Sequence, residues 1–302
     1  ALDRVTKRYG DFTAVEDLSF EAPEGRVFGF LGANGAGKTT TLRMVLDILR
    51  PTSGTIEVFG AAPGRAHAER MGFLPEERGL YRKMTALETV IYFGTLKGMS
   101  RKAAKAEGEA LLTRFGLDAW SKQPVDRLSK GMAQKIQLAA AIVNKPALLI
   151  LDEPFSGLDP VNQTVLEEAI LEFRAAGSTV VFSTHIMQHA ERLCDELLFL
   201  KKGRKVFQGA QAQARANLPG RVSLVARKDP SRLAGVASCR RIEAGEDGWS
   251  RWELELSPGA APGAVLQACM REGLELQDFE QHRPTLHEVF LHLVGDEAEA
   301  AT

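Results

Sequence analysis

No stretch of this sequence approaches the ~20 consecutive apolar residues that a membrane-spanning helix needs. The chain does not open on the basic, then apolar, then small-residue pattern of a secretory signal either. Cysteine is scarce: Cys194, Cys239 and Cys269 lie far apart and form no Cys-x-x-Cys pair. That argues against a disulfide framework and suits a reduced, cytosolic setting. Neither sign of charge dominates, with 38 Lys and Arg against 39 Asp and Glu and a net charge of −1. A protein that grips a nucleic-acid backbone usually carries a strong positive excess, so the balance argues against nucleic acid as a partner. Aromatic residues make up only 7%, yet apolar residues reach 44% of 302 positions. That is enough for a sizeable core in one or two domains.

What is present is a phosphate-binding loop. Gly32-Ala33-Asn34-Gly35-Ala36-Gly37-Lys38-Thr39 fits G-x-x-x-x-G-K-[ST]. Val27 to Leu31, just before it, is short and apolar, as a buried strand is. Thr40 to Leu49, just after it, sets Leu42, Val45, Leu46 and Leu49 on one helical face. Gly32, Gly35 and Gly37 let the backbone curl so that successive N–H groups form an anion nest. The helix N-terminus adds partial positive charge. In this pattern Lys38 reaches the β- and γ-phosphates, and the Thr39 hydroxyl ligates Mg²⁺. An ordinary glycine-rich turn ending in Lys-Thr would lack the strand and helix on either side.

Around this loop the chain reads as α/β. Residues 1–31 read as antiparallel strands, Leu2 to Lys7 and Ala14 to Glu21, with a Pro23-Glu24-Gly25 turn into a third. Pro51 to Gly54 reads as a turn, Thr55 to Phe59 as a strand and Met71 to Leu74 as a short buried strand. Thr85 to about Arg127 is helical, opened by a Thr85–Glu88 capping box. A further helix starts at the N-cap Ser129. Together these predict a helical subdomain at about 85–145 inserted into the core. Ala147 to Leu151 is wholly apolar, as inside a parallel sheet. A helix over Val161 to Ala176, a strand over Thr179 to Ser183 and a hairpin over 196–208 follow.

The expected fold is a mixed-sheet P-loop NTPase over 1–215. A polar, Ala/Gln-rich stretch and Pro219-Gly220 mark the boundary. Residues 216–295 read as strand 221–228, a short helix 229–235, strands 236–244 and 249–256, helix 260–272, strand 274–281 and helix 284–294. That is a small α+β domain close to the split β-α-β order of ferredoxin-like folds. The Ala/Glu-rich tail 296–302 is predicted to be disordered.

The apolar strand ending at Leu151 runs into Asp152-Glu153. Two adjacent carboxylates at the end of a buried strand are costly without a nearby cation. Ligands of α/β sheets bind at those strand ends. The pair is therefore a candidate Mg²⁺ ligand and general base, the alternative being a solvated strand end. His185 ends another apolar strand beside the same phosphate site. His185 and His189 are four apart, but His-Ile-Met-Gln-His lacks the glutamate of H-E-x-x-H, which disfavours a zinc pair. Tyr9, in a Lys7-Arg8-Tyr9-Gly10 turn, either stacks on a base or packs on its own strand.

The P-loop, Leu128-Ser129, Asp152-Glu153, Asp159 and His185 follow in one fixed order. Over about residues 1–209 the sequence thereby resembles the nucleotide-binding subunits of ABC transporters. The resemblance implies a RecA-like core that binds and hydrolyses ATP with Mg²⁺. It casts Tyr9 as the aromatic that stacks on adenine. Gly32 to Thr39, with Asn34, Lys38 and the following Thr40, becomes Walker A. Asp152 joins Thr39 on the metal, Glu153 orients the attacking water, and His185 senses the γ-phosphate. Ser156 to Asp159 is the D-loop. Leu128 to Met132 takes the place of the LSGGQ signature, whose Ser129 and Gly131 would meet ATP held by a partner subunit.

Two departures stand out. The signature reads Leu-Ser-Lys-Gly-Met, and Glu76 falls where the Q-loop carries glutamine, placing a carboxylate in the catalytic and metal-binding neighbourhood. Both, with Glu76 to Tyr81 and Pro154 to Asp159, are similar to bacterial exporter ATPases of the sodium-extrusion (NatA) type, which carry a small C-terminal domain. The resemblance also implies partners and a place. The partners are a second ATPase subunit, identical or paired, across the nucleotide, and a separate integral membrane permease. The place is the cytoplasmic face of the plasma membrane. The rival reading is a soluble ABC ATPase of translation or DNA repair. Translation types place two P-loops in one chain, and only one is found here; repair types carry a long coiled coil or a zinc hook, and there is no Cys-x-x-Cys.

Overall fold

A computed structural model of the chain describes residues 1–77 and 79–295. Its contacts divide it into one compact unit of Ala1–Gln211 and another that begins at Ala212. The tail expected over 296–302 lies outside the described residues.

The first unit runs β1 (Leu2–Tyr9), β2 (Phe12–Phe20), β3 (Val27–Leu31), α1 (Lys38–Val45), β4 (Ser53–Ile56), β5 (Met71–Leu74), α2 (Ala86–Leu96), α3 (Arg101–Arg114) and α4 (Lys130–Ile142). It continues with β6 (Leu148–Asp152), α5 (Pro160–Ala175), β7 (Thr179–Thr184), α6 (Met187–Leu193), β8 (Glu196–Lys201) and β9 (Arg204–Ala210), and a short helix α7 (Gln211–Arg215) follows. Six strands form a mixed sheet in the order β5-β6-β7-β3-β8-β9, in which only β9 runs antiparallel to its neighbour. β3 and β7 are buried at every position, as strands covered on both faces are. A second, antiparallel sheet has the order β2-β1-β4. Phe20 of this sheet packs on Phe28 and Phe30 of β3 at 5.6 and 5.4 Å between ring centroids. Each fully buried ring contributes on the order of 1.5–3 kcal/mol, and these rings join the two sheets.

The P-loop NTPase architecture is as read from the sequence, with local differences. The strand after the Pro23–Gly25 turn is not antiparallel to the first two: it enters the other sheet between β7 and β8, parallel to both. α1 stops at Val45, four residues early, because the chain turns at Asp47 with φ 57°; Leu46 and Leu49 still pack on the core. Ser53 and Gly54, which read as a turn, already belong to β4, where Ser53 pairs with Thr6 of β1. The inserted helices α2, α3 and α4 lie between β5 and β6 in the chain. The capping box is formed: Glu88 N–H donates to Thr85 Oγ1 at 3.2 Å, and Thr85 N–H to Glu88 Oε2 at 3.0 Å.

The second unit contains β10 (Arg221–Ala226), β11 (Val236–Ala244), β12 (Ser250–Leu256), α8 (Pro262–Arg271), β13 (Leu276–His282) and α9 (Leu286–Val294). The sheet order is β11-β12-β10-β13, antiparallel throughout. β10 and β11 thus run the same way with β12 between them, which is the split arrangement expected. The helix expected at 229–235 is instead a run of turns. Asp229 Oδ1 accepts from Ser231 N–H at 2.8 Å, a local bond that competes with helix formation. Leu233 still plugs the core formed by Val222, Leu224, Leu254 and Val265.

Candidate active site

The phosphate-binding loop joins β3 to α1 at the C-terminal edge of the central sheet. Its last glycine is dictated by close approach. Gly37 has φ 99°, and a Cβ there would stand 2.6 Å from the Ala14 carbonyl oxygen, so only glycine lets β2 lie against the loop. Lys38 is buried and folds back over the loop it ends, its Nζ donating to the carbonyls of Gly32 at 2.7 Å and Ala33 at 3.3 Å. Asp152, at the end of β6, accepts from Thr39 Oγ1 at 3.2 Å and from Ser183 Oγ at 2.5 Å. Ser183 in turn accepts from the Glu153 N–H at 3.0 Å.

Glu153 is the strained residue of this cluster. Its φ is 46°, a region that costs a non-glycine residue free energy and concentrates at functional sites. One carboxylate oxygen, Oε2, lies 3.0 Å from His185 Nδ1. The other, Oε1, is buried without a hydrogen bond. The charge of Lys38 Nζ, 3.2 Å away, compensates it. Lys38, Thr39, Asp152, Glu153 and His185, all read as site residues, therefore lie together. Ser183 was missed; its one signal was a hydroxyl at the end of an apolar strand next to Asp152.

This donor set fits the ligands the sequence implies. The Thr39 hydroxyl and the Asp152 carboxylate, neighbours at the start of α1, are the hard oxygen donors that Mg²⁺ takes. Lys38 rests on neutral carbonyls that an incoming phosphate can replace. Asn34 and Gly35 are exposed on the crest of the loop, and Thr40 is half-buried in the first turn of α1.

The remaining candidates lie outside this cluster, and among the described residues none is hydrogen-bonded to it. Tyr9 ends β1, 47% exposed, with Lys7 Nζ 5.1 Å from its ring centroid. Ser129 caps α4, accepting from Met132 N–H at 3.3 Å. Gly131 packs on the start of α5, where a Cβ would stand 2.8 Å from Asn162 Nδ2. Asp159 caps α5 by accepting from Asn162 N–H at 2.9 Å, a bond that holds its pKa below the usual carboxylate range. Lys130, the departure within the signature, lies across Gly157, whose φ of 68° and missing side chain make room for it. Gln134 Nε2 donates to the Pro154 carbonyl at 2.7 Å. The signature helix thus holds the loop that leaves Glu153.

Glu76 is exposed, two residues beyond β5. Gln137, another residue the sequence reading passed over, steadies this loop by donating to the carbonyls of Pro75 and Glu77 at 3.2 and 3.3 Å. The proposed role of Glu76 is electrostatic, a negative charge near the bound phosphates. Glu76→Gln is expected to speed basal hydrolysis or to weaken its dependence on Mg²⁺. The effect should not exceed about fivefold, the ~1 kcal/mol ceiling of an exposed charge pair. A Mg²⁺ titration of turnover reads this directly. Superimposable curves would leave the Glu76 carboxylate in solvent.

Fold and site together define a P-loop nucleotide-binding protein with an inserted helical subdomain and a second α+β unit. Residues 15–156 match the ABC transporter family model, and residues 214–294 match the C-terminal domain of ATP-binding protein DrrA1-3-like proteins. An uncharacterised ABC transporter ATP-binding protein of Bacillus subtilis, YhaQ, is 39% identical over 97% of this chain and 98% of its own length. The Nod factor export ATP-binding protein I of Burkholderia orbicola is 37% identical over 98% of this chain and 96% of its own. A solved ATP-binding subunit of an ABC transporter superposes with a TM-score of 0.67 at 30% identity, covering 72% of this chain and 91% of that one. The chain belongs to the ABC transporter ATP-binding family.

Proposed function

We propose that this chain binds and hydrolyses ATP to power a membrane exporter, and that two such subunits close on ATP in each cycle. The observation that carries the reading is the buried Lys38–Glu153–His185 arrangement beside Thr39 and Asp152. P-loop phosphoryl transfer is mostly positioning and electrostatics. An incoming phosphate draws Lys38 Nζ away from the Gly32 carbonyl and from Glu153. That leaves Glu153 Oε1 with an unshared negative charge, able to accept the proton of an attacking water. His185 keeps Oε2 in place. Thr39 and Asp152 would hold Mg²⁺, which when bound neutralises charge on the phosphates. Ser129 and Gly131, set apart from Lys38, are available to the nucleotide of a second subunit.

The export reading is supported by the Nod factor export relative. Among the described residues no helix is long and apolar enough to cross a membrane, and this reading assigns the membrane passage to a separate spanning partner. A groove of about 550 Å³ lined by Phe73, Leu80, Phe93 and Leu96 offers an apolar partner a seat. Lys97 lines the same groove; burial lowers its pKa to about 8. The test is affinity purification of the chain from detergent-solubilised membranes of its source cells. Co-purification with a protein of about six ~20-residue apolar spans is the expected result. Recovery with ribosomes or DNA instead would favour the soluble ABC ATPase class.

A further inference from the structure

We propose that His189 is a positioning residue for Glu153: its imidazole, stacked on Phe155, holds the strained catalytic loop against His185. The inference rests on the ATPase reading. The His189 and Phe155 rings lie 3.9 Å apart between centroids with planes 9° from parallel. Phe155 is 2% exposed and His189 6%. Phe182 of β7 also meets the Phe155 ring, edge-on at 6.0 Å. Phe155 is therefore clamped between α6 and the central sheet.

The clamp matters because of what lies two residues away. Glu153 sits at φ 46°, and a strained residue persists only where its surroundings over-determine it. α6 touches this loop region at two levels. His185, just before the helix, meets Glu153 Oε2 at 3.0 Å. His189, four residues on, meets Phe155 by stacking. The first contact is polar and orients the carboxylate; the second is buried, and fixes the distance between helix and loop.

The chemistry of the pocket suits a neutral, flat side chain. The charged groups facing His189 are Glu167 from α5, Arg192 from its own helix and Glu153 from the loop. Glu167 Oε1 is 3.4 Å from His189 Nδ1, but its Oε2 is 2.7 Å from Arg192 Nη2. The carboxylate charge is thus met by the guanidinium. Burial is the largest influence on His189 and lowers its pKa, so the ring stacks as a neutral aromatic.

The experiment uses the full chain with saturating ATP and Mg²⁺, assayed well below each variant's melting temperature. His189→Ala is expected to lower kcat about 10- to 100-fold, the effect of a roughly 1 Å misplacement. KM for ATP should stay within about threefold, because Lys38 and the loop amides are untouched. His189→Phe, which keeps the stack and drops the Glu167 contact, is expected to keep most of the wild-type kcat. If the alanine variant does not fold, His189→Leu fills the same space without a flat ring and is expected to lose kcat likewise. Wild-type kcat in the alanine or leucine variant overturns the proposal. A phenylalanine variant as slow as alanine, or a loss shared equally by KM, does so too. A wild-type chain without turnover defeats the ATPase reading itself, whereas an active wild type beside an unimpaired alanine variant defeats only this inference.

Discussion

Glu153→Gln is expected to bind ATP as the wild-type chain does and to lose turnover by about 10²–10⁴-fold, the contribution typical of a positioned general base. Glutamine has the same shape, so the contact with His185 can be kept and the φ 46° backbone is not disturbed. What disappears is the negative charge on Oε1, the oxygen that is buried without a hydrogen bond and compensated by Lys38. Without that charge nothing at this position takes the proton of an attacking water. Binding is spared because the phosphate contacts come from Lys38 and the loop amides. Phosphate release at saturating ATP measures the loss. Wild-type turnover in the variant would remove Glu153 from the chemistry.

Lys38→Ala is expected to do two things. ATP binding is lost with the loop's cation. The chain without nucleotide is also destabilised, by about 3–5 kcal/mol, because removing one member of a buried ion pair strands the other. Both side chains are under 10% exposed, so solvent cannot take over the role of Lys38. The control is the double variant Lys38→Ala/Glu153→Gln. With no carboxylate left to strand, it should recover about 0.5–3 kcal/mol relative to the sum of the single changes, the range of coupling for residues in contact. Urea unfolding of the four chains gives the cycle. Strict additivity would mean that the 3.2 Å pair carries no net coupling.

How much of this was legible in the sequence depends on the range of the interactions involved. The phosphate loop, the carboxylate pair and His185 were readable because each is a short motif next to an apolar strand, and parallel pairing of β6, β7 and β3 brings those strand ends together. Ser183 and Gln137 were not readable. Each acts across the fold on a residue remote in sequence, and a lone hydroxyl or amide gives no local pattern. The boundary of α1 and the turns at 229–235 were missed for local reasons, namely the positive φ of Asp47 and the Asp229–Ser231 bond. His189 was read only as one half of a histidine pair. Its stacking partner is Phe155, an aromatic ring in the loop after the neighbouring strand β6, which helical spacing does not predict.

In the proposed cycle each catalytic site needs two chains, with Lys38 and Glu153 from one subunit and Ser129 and Gly131 from the other. The most direct measurement is the solution mass of the Glu153→Gln variant by light scattering, with and without ATP. The expected mass is that of the 32.9 kDa chain without nucleotide and twice that at saturating ATP, because the variant hydrolyses too slowly to release the nucleotide that holds the pair together. A mass that stays at one chain under saturating ATP, with ATP shown to be bound, would contradict it.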